Sequence, residues 1–353
     1  MTVSVATLGF PRIGLRRELK FALESYWAGK TTLAELQTAA SGLRALGWTR
    51  QKALGADILP SNDFSLYDHV LDTSALIGAV PARYDWGGET VDPDLYFAMA
   101  RGAQGKAGHA GCGHAHDTTA QEMTKWFDTN YHFIVPEIEP ETRLQLGHIK
   151  PLQDYLEAKA QGFETRPVIL GPVTWLSLAK EYGSDPFDLL EEVLALYATV
   201  LARLEEAGAE WVQIDEPILV TDLTDRQRRA FTRTYAKLGR AGPKIMLATY
   251  FGGLENNLSL AASLPIAGLH IDLARAPEQL DAVVKAVPHN RLLSLGVVDG
   301  RNIWRADLAA LLDRLEPLAA QRDLVLAPSC SLLHVPVDLQ LESKLDDELK
   351  QWL

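Results

Sequence analysis

The amino-acid sequence predicts an α/β fold, a (β/α)8 TIM barrel with a long helical insertion between strands 2 and 3. Eight short apolar runs occur along the 353 residues, and nearly all are followed by polar, Gly or Pro residues and then by a helical pattern. Continuous apolar runs are typical of parallel strands buried on both faces, and eight strand–helix units favour a closed barrel over an open sheet. No Gly-x-Gly-x-x-Gly follows any run, which removes the main indication of a dinucleotide fold.

The predicted elements can be placed in chain order. The predicted strands are residues 3–8, 56–60, 168–170, 211–214, 245–248, 268–271, 292–295 and 324–326. A helix is predicted over residues 15–27, directly after the first strand. The interval between the second and third strands, approximately residues 65–165, is too long for one crossover connection. It is therefore predicted to be an insertion that holds extra helices, among them residues 68–76 and 122–131.

The composition excludes several classes of protein. The chain has 34 Lys and Arg against 46 Asp and Glu, a net charge of −12, which argues against a general nucleic-acid-binding protein. The two cysteines cannot form a disulfide framework for a chain of this length. The sequence contains no signal-peptide pattern and no apolar stretch long enough for a membrane helix. These observations predict a cytoplasmic protein that binds neither nucleic acid nor membranes.

A basic motif follows the first predicted strand. Arg12, Arg16 and Lys20 are spaced four residues apart, so they would share one face of a helix. Cations in the first turns of a helix oppose its dipole, which suggests a bound anion such as a carboxylate or phosphate. The alternative is a solvated basic patch paired with Glu18 and Glu24. The position after a barrel strand favours the binding site, because barrel sites form at the carboxyl ends of the strands.

Residues 122–132 combine a lysine with aromatic and amide side chains. This mixture suits a flat, charged ligand such as a pterin with a glutamate tail. Alternatively, Trp126, Phe127 and Tyr131 pack the insertion onto the barrel.

Acidic residues and a cysteine also lie at predicted strand ends. Paired carboxylates there suit acid–base chemistry or metal binding, but they can also cap helices or pair with arginines. Cys330, with His334 nearby, is either a nucleophile, a metal ligand or a buried packing residue. The acids concerned are Asp215, Glu216, Asp272 and Asp299.

The loop 108–117 carries three histidines and a cysteine within residues 109–116. Their spacing matches no standard zinc finger, and the surrounding Gly and Ala offer no groups to orient the imidazoles. We interpret this loop as an exposed insertion with adventitious metal affinity; a native zinc site is the alternative.

Several ordered motifs resemble the cobalamin-independent methionine synthase family, the 5-methyltetrahydropteroyltriglutamate–homocysteine methyltransferases. They span essentially the whole chain. The matching segments are LGFPRIG at 8–14, RELK at 17–20, PSNDF at 60–64, EMTKWFDTNYH at 122–132, LGPVTW at 170–175, WVQIDEP at 211–217, GRNIWRAD at 300–307 and SCSLLH at 329–334.

The resemblance implies a protein of two tandem barrels that descend from one duplicated barrel and have different functions. Residues 1–353 correspond to the amino-terminal barrel, and the catalytic carboxyl-terminal barrel, which holds the zinc, is absent. By the duplication, the zinc-ligand positions here are occupied by Leu247 and Thr249, and only Cys330 matches a ligand position. The resemblance therefore implies no catalytic residue, no metal ligand and no zinc in this chain.

The resemblance also assigns substrate contacts. The family's amino-terminal barrel contacts the folate polyglutamate tail, and these contacts correspond to Arg17, Glu18, Leu19, Lys20 and Lys125. The implied reaction moves a methyl group from 5-methyltetrahydropteroyltri-L-glutamate to L-homocysteine, giving L-methionine. The implied partners are the folate polyglutamate and the carboxyl-terminal barrel, and the chain alone is expected to be inactive.

Two alternative functions are open at this point. The chain is either a non-catalytic module that docks onto a separate catalytic barrel, or a free-standing barrel enzyme that uses Asp215, Glu216 and Cys330.

Overall fold

The computed structural model describes residues 2–88, 90–103 and 117–353. The strands are β1 Val3–Val5, β2 Leu59–Ser61, β3 Met123–Lys125, β4 His132–Ile134, β5 Glu137–Ile138, β6 Thr165–Leu170, β7 Lys180–Glu181, β8 Trp211–Asp215, β9 Lys244–Ala248, β10 Gly268–Asp272, β11 Leu292–Val298 and β12 Leu324–Pro328. The helices are α1 Glu18–Trp27, α2 Leu33–Ala53, α3 His69–Leu76, α4 Pro93–Arg101, α5 Lys150–Ala160, α6 Pro172–Leu178, α7 Leu190–Glu206, α8 Asp225–Leu238, α9 Leu258–Ser263, α10 Leu280–Ala286, α11 Leu308–Ala319 and α12 Asp347–Trp352.

Eight of the strands form a parallel sheet in the order β1-β12-β11-β10-β9-β8-β6-β2. Its two ends meet where Ala6 pairs in parallel with Ile58, just beyond β1 and just before β2. This pairing closes the barrel. Each of the eight predicted strands corresponds to one strand of the barrel. The predicted (β/α)8 fold is thus confirmed. Most of its strands are largely buried, as continuous apolar runs predict, but Val3 and Val5 of β1 are exposed.

The insertion between β2 and β6 is only partly helical. The helix predicted at residues 68–76 is confirmed as α3, with Asp68 accepting hydrogen bonds from the Val70 and Leu71 amides, both at 2.8 Å. The helix predicted at residues 122–131 is wrong. Residues 123–134, which we call the strap, form an antiparallel hairpin of β3 and β4. Its aromatic residues favour strands, and Trp126 and Phe133 are buried on packing against the barrel.

The first helix begins later than the sequence predicts. α1 starts at Glu18, after Arg17 in a left-handed conformation with φ of 65°. Arg12 and Arg16 therefore precede the helix, and the shared helical face predicted for Arg12, Arg16 and Lys20 is wrong. Arg12 instead donates hydrogen bonds to the Ser65 and Tyr67 carbonyls and to the Tyr131 hydroxyl.

The core has two main parts. One fills the barrel and the layer between its strands and outer helices, and the other lies among α1, α2, α3 and α4. Helices in the described part of the chain are all too short or too polar to cross a membrane.

Candidate functional site

Polar side chains crowd the mouth of the barrel, at the carboxyl ends of the strands. A cavity of about 70 Å³ lies there, lined by residues that include Asp63, Asp215 and Tyr250. Asp215 accepts hydrogen bonds from Gln213 Nε2 at 2.7 Å and from the Tyr250 hydroxyl at 3.0 Å. Burial raises the pKa of Asp215 to about 7, against the opposing effect of these two bonds and of the Arg166 charge. The carboxyl group therefore lines the cavity while each of its oxygens accepts an internal hydrogen bond.

Glu216 serves the fold rather than the mouth. It is fully buried and accepts four hydrogen bonds: from the Val173 amide (3.2 Å), the Thr174 amide (2.7 Å), the Thr174 hydroxyl (2.6 Å) and the Tyr235 hydroxyl (3.2 Å). Burial raises its pKa to about 7, although these four bonds favour the ionised form. Because its oxygens satisfy the first amides of α6, they are not available to a substrate.

The other two strand-end acids stabilise loops. Asp272 accepts from the amides of Phe251, Ala274 and Arg275 at 2.8–3.0 Å. Asp299 accepts from the Arg301 amide at 2.8 Å and from Asn302 Nδ2 at 2.7 Å. Both carboxylates therefore bind donors in loops near the ends of their strands, which is neither the helix cap nor the arginine pair that the sequence suggested.

Cys330 lies in an environment that suppresses thiol chemistry. The side chain is fully buried, and burial, with a smaller contribution from the Asp272 charge, raises the pKa of the thiol to about 12. The ring of His334 faces Tyr131 and Phe251, at centroid distances of 6.0 and 5.7 Å, and burial lowers its pKa to about 4. Neither group has the properties of an activated nucleophile and base.

At two positions that the family resemblance compares with zinc ligands, this chain has Leu247 and Thr249. Leu247 offers no ligand atom, and Thr249 donates its hydroxyl hydrogen to the His270 carbonyl at 2.9 Å. Among the residues that the structure describes, no group of three or more His, Cys, Asp or Glu side chains could hold a metal. The histidines and cysteine of residues 109–116 lie outside the described residues.

The state of Cys330 gives a direct prediction. In a Cys112→Ser variant, we expect Cys330 in the folded protein to react with iodoacetamide at pH 8 about a hundredfold or more slowly than in the urea-unfolded chain, because burial disfavours the thiolate. Mass spectrometry of timed samples measures the rate. Rapid alkylation of the folded variant would contradict the packing role and restore Cys330 as a candidate nucleophile.

A second, larger cavity lies outside the mouth, between α1 and the strap. This cavity, which we call the groove, has a volume of about 450 Å³. Its walls include Leu23 and Trp27 of α1 and Met123 and His132 of the strap, and Lys20 lies among them. The groove is thus largely apolar, and Arg12, Lys20 and Glu24 supply the charged groups of its lining.

The sequence-predicted contact residues fall in and around the groove. Lys20 is exposed and pairs with Glu24 at 2.8 Å. Lys125 is exposed on β3, directly opposite His132, and lies two residues from Met123. Opposed residues and residues two apart share a face of a hairpin, so Lys125 lies on the face that borders the groove.

The other three contact residues have different surroundings. Arg17 is exposed at the start of α1, whereas Leu19 is buried and its amide donates to the Ile13 carbonyl at 3.2 Å. Glu18 accepts from the Arg16 amide at 2.8 Å and so stabilises the turn before the helix. Lys20 and Lys125 are therefore the members of this set best placed to contact an anion in the groove.

Sequence reasoning missed the groups that fasten the strap to the barrel. Asp128 at the tip of the strap binds Arg275 and Arg301, which follow β10 and β11. These residues are separated by 147 and 173 positions in the chain. A local sequence pattern contains no signal for such a pair.

The fold and the mouth define a parallel (β/α)8 barrel whose strand-end acids are occupied by internal hydrogen bonds. Residues 4–323 match the family model described as "Cobalamin-independent synthase, N-terminal domain". The chain belongs to this family.

Curated relatives named 5-methyltetrahydropteroyltriglutamate–homocysteine methyltransferase extend well beyond the matched region. The chain is 58% identical to the protein of that name from Nitrobacter winogradskyi, over 99% of this chain and 47% of the relative. It is also 58% identical to the one from Caulobacter vibrioides, over 100% of this chain and 47% of the relative. The chain therefore spans about half the length of the curated relatives it matches.

Solved structures share the fold at low sequence identity. A putative vitamin-B12-independent methionine synthase from Listeria monocytogenes superposes with a TM-score of 0.62 at 14% identity, covering 99% of this chain and 96% of that one. A B12-independent methionine synthase from a Shewanella species superposes with a TM-score of 0.64 at 15% identity, covering 96% and 93%. These likenesses support the barrel fold alone.

Proposed function

We propose that this chain is the amino-terminal domain of a zinc-dependent, cobalamin-independent methionine synthase and that it binds the folate polyglutamate tail. The parent reaction transfers a methyl group from 5-methyltetrahydropteroyltri-L-glutamate to L-homocysteine and gives L-methionine. The observation that carries the proposal is the groove, because Lys20 of α1 lines it and Lys125 of the strap shares a hairpin face with Met123 and His132, which also line it.

The groove suits such a tail on chemical grounds. A triglutamate segment presents several carboxylates along a flexible chain, and exposed lysines offer flexible cationic partners for them. The apolar walls at Leu23 and Trp27 can pack against the methylene groups between the carboxylates. Each contact between exposed charges contributes little, so recognition depends on several weak ion pairs that salt screens.

In this proposal the methyl-transfer chemistry belongs to the second half of the protein. When bound there, zinc would supply the activated thiolate of homocysteine. The groups at this barrel's mouth that the sequence suggested for catalysis are Asp215, Glu216 and Cys330, and they are engaged in internal hydrogen bonds or buried. The chain's own contribution is therefore to bind and orient the acidic end of the substrate.

Binding measurements test the proposal. We expect Lys20→Ala and Lys125→Ala each to weaken binding of 5-methyltetrahydropteroyltriglutamate by about two- to fivefold, the size of one exposed ion pair. Binding of the monoglutamate form should change less. Titration monitored by intrinsic fluorescence or by calorimetry, at two salt concentrations, measures the affinity for the triglutamate form and for the monoglutamate form.

A matched control separates the groove from a general loss of positive charge. Lys52 is exposed in the last turn of α2 and does not line the groove, so Lys52→Ala should leave triglutamate binding unchanged. If the two groove variants bind triglutamate as tightly as the unaltered chain, the lysines have no part in recognition.

One observation favours docking onto a separate catalytic barrel as an additional role. Of the twelve residues of α11, Leu315 alone is buried, while Leu308 and Leu312 are 63% and 55% exposed. We call the exposed apolar side chains on and beside this helix the α11 patch: Ile303, Trp304, Leu308, Leu312 and Trp352.

The proposed occupant of the α11 patch is the carboxyl-terminal barrel. Contiguous exposed apolar surface is uncommon on a protein that acts alone. Relatives at 58% identity are about twice as long as this chain, which supports a second half of the same protein as the partner.

A further inference from the structure

The strap crosses the mouth of the barrel from one wall to the other. It belongs to the insertion between β2 and β6, which are neighbours in the sheet. The arginines that bind its tip follow β10 and β11, and β10 stands four places from β2 in the eight-stranded order. The strap is therefore fixed at both ends, by its own connections on one wall and by side chains on the opposite wall.

The contacts at the tip centre on Asp128. Its carboxylate accepts from Arg301 Nη1 at 2.7 Å and from Arg275 Nη2 at 2.8 Å, and its carbonyl accepts from Arg301 Nη2 at 3.1 Å. Partial burial would raise the pKa of Asp128, but the hydrogen bonds and charges of the two arginines hold it below its usual range. A single acid thus binds two separate barrel loops.

Aromatic packing makes this contact directional. The Arg301 guanidinium lies 5.2 Å from the centre of the Phe251 ring, and Phe127 lies 5.7 Å from the same ring. Phe127 has a φ of 50°, an unusual conformation for a residue other than glycine, which the surrounding contacts maintain. The tip therefore contacts the barrel loops through Phe127 as well as through Asp128.

The location of Lys125 is related to the contacts at the tip of the strap. Its strands each have three residues, and the buried Trp126, which follows Lys125, anchors the hairpin to the core from within. Lys125 is exposed and separated from Asp128 by two residues, so the arginine contacts limit the motion of the segment that carries it. The position of Lys125 is therefore set by two anchors, the buried Trp126 and the arginine contacts of Asp128.

We propose that Asp128 is a positioning residue for polyglutamate recognition, acting through Arg275 and Arg301 to hold the strap and so to keep Lys125 beside the groove. This inference rests on the proposed function. It adds a specificity device, because a fixed Lys125 distinguishes a long acidic tail from a single glutamate.

The sign of the expected effect separates positioning from simple electrostatics. Asp128→Asn removes a negative charge near Lys125, so electrostatics alone would strengthen the binding of an anionic tail. Loss of positioning predicts the opposite. We expect Asp128→Asn to weaken binding of 5-methyltetrahydropteroyltriglutamate by about two- to fivefold, no more than Lys125→Ala does, and to leave binding of the monoglutamate form unchanged.

A second readout follows the strap itself. Hydrogen exchange of the amides in residues 123–134 should be faster in Asp128→Asn, since the tip is released. Asp188→Asn is the matched control: Asp188 is a similarly exposed acid that pairs with Arg226 on the outer surface. It should change neither exchange in the strap nor binding.

The outcomes distinguish the two proposals. If the unaltered chain does not prefer triglutamate to monoglutamate, the proposed function fails before any variant is considered. If it does, the positioning role is overturned by unchanged or tighter triglutamate binding in Asp128→Asn. It is also overturned by equal weakening for both ligands, which would indicate general damage to the fold.

Discussion

Glu216→Gln should destabilise the barrel by about 2–3 kcal/mol, the largest effect on stability that we expect from a conservative substitution of a strand-end acid. Each carboxylate oxygen of Glu216 accepts one backbone amide, that of Val173 or that of Thr174. A glutamine amide has one acceptor oxygen, so either orientation turns an NH2 group towards a buried N–H donor. Urea unfolding followed by far-UV circular dichroism measures the loss.

Two further variants sharpen this expectation. Glu210→Gln makes the same chemical change at an exposed position before β8 and should stay within about 0.5 kcal/mol. Gly171→Ala should destabilise by about 1–3 kcal/mol, because its Cβ would lie 2.1 Å from Glu216 Cδ and displace the carboxylate. A Glu216→Gln protein with unchanged stability would show that the carboxylate is not needed for the fold, and the free-standing enzyme hypothesis would regain its main acid.

The barrel could be predicted from the sequence because its determinants are local. Each strand appears as a short apolar run followed by a turn and a helix, and burial on both faces requires such a run. The role of Glu216 could not be predicted in this way. Its partners Val173 and Thr174 lie more than forty residues earlier, on a different strand–helix unit, and only the closed sheet brings them together.

For the strap, the local sequence pattern predicts the wrong secondary structure. Residues 122–131 have the length and mixture of a helix, yet Lys125 pairs with His132 across a hairpin. The pairing is stabilised by burial of Trp126 and Phe133 against the barrel, a tertiary effect that overrides local propensity. The helical face predicted from the basic motif is wrong for a related reason. The Arg12 guanidinium binds carbonyls of the segment between β2 and α3, which is distant in the sequence.

The largest functional effect that we expect is the absence of methyl transfer by this chain alone. We expect the purified chain with zinc, homocysteine and 5-methyltetrahydropteroyltriglutamate to form no methionine above the enzyme-free background. The reason is that Leu247, Thr249 and the buried Cys330 cannot form a catalytic zinc site with three protein ligands. Addition of the separately purified carboxyl-terminal half of the Nitrobacter relative should produce methionine, measured by chromatography with mass detection.

Variants of the α11 patch test whether the restored turnover depends on docking at this surface. If it is the docking surface, Leu308→Glu combined with Leu312→Glu should lower restored turnover about tenfold or more at sub-saturating partner, because charges would be buried in an apolar interface. Leu54→Glu changes a leucine of 76% exposure that directly follows α2 and is not part of the patch, and it should leave turnover unaltered. Equal turnover in both variants would place the contact elsewhere. Methionine formed by this chain alone would require a complete catalytic centre within these 353 residues, and the two-half proposal would fall.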